Sequence, residues 1–150
     1  MKKIIFSAVC VLSFGMAEVD MDKPLPMAEA LKISAETMNK SLPVMVDAEM
    51  RHDKVEIDKN TMILKFTLVN FTVKDMDGEK LKGLMEADIR QSVCKDFETQ
   101  EMLKKGIKIV YDYSDKNKKY ITQLKYDAKE CGLESNMDKL KNILNLTKKK

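Results

Sequence analysis

The sequence predicts an α+β fold: an antiparallel sheet of two β-hairpins, helices packed on one face, and one disulfide. Three observations carry this. Two segments, 53–71 and 107–126, alternate apolar and polar residues with the period of strands. The stretches around and between them repeat their apolar residues every three or four positions, as helix faces do. Two cysteines, Cys94 and Cys131, stand at the far ends of these patterns in a chain with an export address.

The address is residues 1–17. A Met1-Lys2-Lys3 start leads into an apolar run from Ile4 to Phe14, and small residues stand at Gly15 and Ala17. That is the build of a bacterial secretory signal cleaved after Ala17, and the run is too short to span a bilayer, which takes about 20 residues. Cys10 is read as an apolar signal residue. The expected location is the periplasm or the exterior. Residues 18–26 form a flexible leader, since Pro24 and Pro26 bar a regular helix.

The domain is expected over 27–132. Met27, Ala30, Leu31, Ala35, Met38 and Leu42 trace one face of a first helix, 27–41, which Pro43 ends. Residues 44–58 look extended, with a break at Asp47 to Asp53, and Asp58-Lys59-Asn60 is a turn signal. Thr61 to Val73 is the clearest strand, with Met62, Leu64, Phe66 and Leu68 on one face. After Asp75-Met76-Asp77-Gly78 a second helix places Leu81, Leu84, Met85, Ile89 and Val93 together, with Gly83 as a weak point. Asp96 can cap a short third helix that Gly106 stops. Alternation over 107–113 and again over 120–126 gives the second hairpin.

The tail, 133–150, opens on Ser135-Asn136-Met137-Asp138, a helix-start signal, and aligns Leu133, Met137, Leu140 and Leu144 on one face of a helix over 136–147. Glu134 and Asp138 stand against Lys139, Lys141, Lys148, Lys149 and Lys150, so the tail is basic and the body slightly acidic.

With Cys10 removed, a secreted chain retains Cys94 and Cys131 and is expected to pair them. Closing so long a loop is worth about 3–4 kcal/mol in the chain-entropy account.

The chemistry is narrowed by what is scarce. The net charge of +3 gives no electrostatic case for nucleic acid. The single His52 cannot build a histidine metal cluster, and it is expected to face solvent. Twelve Met and His52 would suit a copper carrier, but several Met fall on predicted core stripes, where Met is ordinary filling. No Gly-x-Ser-x-Gly elbow and no glycine-rich phosphate loop occur among five glycines. Neither an enzyme nor a bound cofactor or metal is expected. Two surfaces could meet a protein partner: the tyrosines Tyr111, Tyr113 and Tyr120 of the second hairpin, and Met137, Leu140 and Leu144 of the tail. The tail could also touch an anionic membrane surface weakly. The leading expectation is a secreted or periplasmic interaction protein, either an accessory to secretion or envelope assembly or an inhibitor or immunity partner. A small-ligand or copper carrier is the alternative.

Leu42-Pro43 and Asp47, the strand 62–69, Val93-Cys94, Leu103, Gly106, Tyr111-x-Tyr113-x-Asp115 and Cys131 occur in an order that resembles a group of small, secreted, largely uncharacterised bacterial proteins. The likeness spans about 42–131. It implies an α+β domain with one disulfide and brings no catalytic residue with it. Lys118 stands where the likeness implies a turn glycine.

Overall fold

A computed structural model describes residues 25–134 and 136–147; the expected signal segment 1–17 and leader residues 18–24 lie outside it. Helix α1 (Met27–Asn39) starts at Pro26, whose carbonyl accepts from the amides of Glu29 and Ala30. Proline suits this place because it presets the backbone and has no amide to satisfy. Leu31 and Ala35 bury the helix against Val55, Met62 and Ile107. Asn39 then fixes its end: the side-chain amide donates to the Val55 carbonyl and the side-chain oxygen accepts from the Val55 amide, both at 2.8 Å.

Among the described residues five strands form one sheet in the order of the chain: β1 (Val44–Met45), β2 (Met50–Asp58), β3 (Thr61–Leu68), β4 (Lys108–Asp115) and β5 (Tyr120–Tyr126). The two expected hairpins are present as β2–β3 and β4–β5, both antiparallel. Where they meet, the sheet is parallel, with Thr61 opposite Lys108 and Leu68 opposite Asp115. Two helices fill the connection: α2 (Gly78–Lys95) and α3 (Phe97–Lys104). They return the chain to the end where β3 began, and a helical crossover of that kind joins parallel neighbours. Aspartates cap both helices: Asp96, as expected, accepts from the Thr99 amide, and Asp77 accepts from the Lys80 amide.

Both core clusters lie on the helix-covered sheet face. Phe66 and Leu68 of β3 meet Ile109 and Tyr113 of β4 and Leu124 and Tyr126 of β5, under Leu81 and Val93 of α2 and Leu103 of α3, while Met62 packs in the cluster under α1. The disulfide Cys94–Cys131 ties the end of α2 to the segment after β5, with Cα atoms 5.2 Å apart. The clearest strand is shorter than its pattern suggests. It ends at Leu68, and Phe71 and Val73 reach the core from the following loop.

That loop is held by Asp115, which is fully buried at the end of β4. Its carboxylate accepts from the amides of Val73 (3.1 Å), Asn117 (2.8 Å) and Lys119 (2.9 Å). Burial works against its charge, but the three amide donors prevail and hold the carboxyl below its ordinary value.

Helix α4 (Asn136–Thr147) follows the disulfide over the expected residues. Leu133 does not belong to it: the side chain packs on the body core, so the tail begins after Leu133. Leu140, Ile143 and Leu144 are each more than half exposed. The Met137 side chain lies outside the described ones. Among the described residues no helix is long and apolar enough to cross a membrane.

Candidate functional site: an apolar groove beside the second helix

The helices do not cover their sheet face evenly. α1 lies on the C-terminal half of β2, and α2 lies against β5. Between them a strip of β2, β3 and β4 forms the floor of a groove. The floor depends on an irregularity in β2. His52 pairs with Phe66 and Lys54 with Lys65, leaving Asp53 as the extra residue of a bulge. Without that slip, Met50 and His52 could not share a face with Val55 and Ile57.

The bulge places aromatic rings in a row across three strands. His52 stacks on Phe66 with centroids 4.5 Å apart, and Phe66 stacks in turn on Tyr113 at 5.3 Å and Tyr111 at 5.9 Å. Met50 extends the floor, and Leu84, Met85 and Ile89 of α2 form the wall of a cavity of about 140 Å³. Leu84 stands at the lip with 63% of its surface exposed. The polar rim is acidic: Asp88 and Ser92 on α2, and Asp47 on the loop before β2. Asp47 also shapes that loop, its Oδ1 accepting from the amides of Glu49 (2.7 Å) and Met50 (2.8 Å).

His52 is not the solvent-facing residue the sequence suggested. It is half-buried on Phe66, and its Nε2 has no hydrogen-bond partner in the structure. Burial holds its pKa below 6.5, while the neighbouring Asp53 carboxylate and a hydrogen bond with the Lys54 backbone pull the other way.

The tyrosine surface does not hold together as expected. Tyr113 is 1% exposed and belongs to the core, and burial pushes its hydroxyl pKa upward. Strand alternation turns it to the helix side, beneath α2. Tyr111 is half-buried on the groove floor. Tyr120, 60% exposed, stands apart at the start of β5. Of the predicted contact residues, the structure therefore brings together Tyr111 and, beneath it, Tyr113, and adds Met50, Phe66, Leu84, Met85 and Ile89, none of which the sequence reading assigned to a site. The available signal was the phase slip between Met50/His52 and Val55/Ile57, which marks a bulge.

The opposite sheet face is polar. Arg51 pairs with Asp53 at 2.5 Å, Thr67 donates to the same carboxylate, and Lys65 bridges Glu56 (3.1 Å) and Asp112 (3.8 Å). These charges pair with one another, but Asp112 Oδ1 is buried without a hydrogen-bond partner. Among the described residues no three His, Cys, Asp or Glu side chains converge as metal ligands would.

The fold and groove define a class: a small, disulfide-stapled α+β domain with a mixed sheet and an open apolar groove. The chain belongs to the family described as "Putative quorum-sensing-regulated virulence factor", whose pattern it matches over residues 21–132. Three solved structures share the fold. One is described as a "putative secreted protein" from Pseudomonas aeruginosa, with TM-score 0.62 and 15% identity, covering 70% of this chain and 92% of that one. The second is the type 2 secretion system pilotin EpsS of Vibrio vulnificus, with TM-score 0.57 and 12% identity over 70% and 91% of the two chains. The third is the type II secretion pilotin AspS of Vibrio cholerae, with TM-score 0.52 and 11% identity over 70% and 92%. No curated protein matches the chain in sequence.

Proposed function

We propose that this chain is an exported, non-enzymatic accessory of bacterial secretion or envelope assembly, and that it holds a protein partner in the groove beside α2. The observation that carries the reading is the groove itself: an aromatic floor with an exposed Leu84 at its lip and acidic groups at its rim. Buried aromatic and aliphatic anchors surrounded by a polar rim are the anatomy of a protein-binding hot spot. The shared fold with two secretion pilotins supports an accessory role. Export rests on residues 1–17, with the periplasm as the working location. The test is capture from envelope extract by the wild type, by Leu84→Glu in the groove and by Tyr120→Glu outside it. The partner is expected to be retained by the wild type and Tyr120→Glu and lost with Leu84→Glu. Equal capture by all three would refute the groove as the site.

A second reading is supported by the size of the cavity. About 140 Å³ of apolar space is room for one small apolar molecule, as in a ligand carrier. Native mass spectrometry of the purified protein separates the two, since a carrier would show a stoichiometric small adduct.

A further inference from the structure

We propose that the groove of one copy receives α4 of a second copy, so that the chain pairs with itself by reciprocal exchange of tail helices. This goes beyond the accessory reading but rests on its premise that the groove docks protein; in the pair, α4 occupies the groove until the partner displaces it.

The two surfaces match in shape and charge. On α4, Leu140, Ile143 and Leu144 fall within one stripe at helical spacing, and all three are exposed. Lys139 and Lys141 flank that stripe, one on each side, because each lies a single residue, or about 100° of helix turn, from Leu140. The groove presents the complement. Its floor and wall are apolar, with Asp88 on the helix side, Asp47 on the loop side, and no basic residue among the described lining. An apolar stripe between two lysines therefore faces an apolar trough between two aspartates. The dimensions agree as well. Twelve residues of α4 extend about 18 Å, enough to lie along the α2 wall from Leu84 to Ser92, about 12 Å.

A helix this short is marginal alone in water and is stabilised by burying its apolar face. Within one chain, α4 does not fill the groove, since Leu140, Ile143 and Leu144 stay exposed. A second copy can fill the groove without moving the root of the helix. Exchange in both directions makes a closed two-fold pair, in which each copy gives one helix and receives one.

The test is sedimentation of the full exported chain across a concentration series. Variants are Leu140→Glu with Leu144→Glu on the tail, Leu84→Glu and Asp88→Lys on the groove, and Asp88→Lys combined in turn with Lys139→Glu and with Lys141→Glu. All these positions are exposed, and circular dichroism confirms folding. The expected result is a dimer that the tail pair, Leu84→Glu and Asp88→Lys each weaken by about tenfold or more, with one of the two single charge swaps, that of the lysine facing Asp88, restoring association. A monomer at every concentration would overturn the exchange. If Leu84→Glu weakened the dimer but the tail pair did not, another part of the chain would occupy the groove, and the exchange would fail while protein docking there stood. If the dimer ignored every variant, self-docking in the groove would fail altogether, and partner capture by Leu84→Glu would separately decide the accessory reading.

Discussion

The imidazole of His52 lies 4.5 Å from the ring of Phe66, with only 19° between their planes. Each is on a different strand of the first hairpin, and the stack forms only because the bulge at Asp53 turns His52 toward the helices. One extra residue in β2 thus sets the floor of the groove and buries a titratable ring in it.

That burial predicts a pH dependence. The folded pKa of His52 lies below the ordinary 6.5, at which the ring takes its proton in the unfolded chain. Between the two values the unfolded chain binds more protons, so stability falls as pH drops through that window and is fully present above it. Glu56 and Asp115, whose pKa values are lowered from 4.5 and 3.8, lose their contributions only in more acid solution. Urea midpoints measured from about pH 7 to about pH 5 should decline in the wild type. His52→Phe keeps an aromatic ring on Phe66 and should flatten the decline; an unchanged slope would place its source elsewhere.

The disulfide closes a separation of 37 residues. Cys94→Ala with Cys131→Ala is expected to cost about 3–4 kcal/mol in denaturant titrations. A loss well under 1 kcal/mol would mean that the segment after β5 is held mainly by Leu133 and Ala128 in the core.

Two glycines of α2 should respond in opposite directions to alanine. A Cβ at Gly78 would stand 2.7 Å from the Ile121 carbonyl oxygen and 3.3 Å from Thr122 Cβ, where the helix start crosses β5. Gly78→Ala is expected to destabilise by about 1–3 kcal/mol. Gly83 has nothing within 4 Å of its would-be Cβ and sits mid-helix. Gly83→Ala is expected to stabilise by about 0.5–1 kcal/mol through helix propensity. Thermal midpoints of the pair check both signs.

Much of this architecture is legible in the residues. Both hairpins, the helices of the α2–α3 pair with the Asp96 cap, and α4 follow from periodicity and turn chemistry. The parallel junction of β3 and β4 does not, because it depends on where a two-helix crossover returns the chain, which no local pattern records. The groove was hidden for a related reason. Met50 and His52 stand two residues apart, and Val55 and Ile57 repeat that spacing one position out of phase, so the first half of β2 reads as an interruption. Tyr113 misled in the opposite way. Its alternation is real, but alternation fixes only that neighbouring residues face opposite sides, not which side the helices cover. Lys118 takes the left-handed backbone, φ 62°, that the turn between β4 and β5 demands. The expected glycine is replaced there, and the turn is secured by Asp115, which accepts from the amides of Asn117 and Lys119.

The central claim is that a protein partner binds beside α2, and site-specific photo-crosslinking in living cells tests it most directly. A crosslinking residue at Leu84, on the lip of the groove, is compared with one at Glu56, on the polar face of the sheet. The account predicts a discrete crosslinked protein from position 84 and none from position 56. Crosslinks from position 56 alone, or none from either, would contradict it.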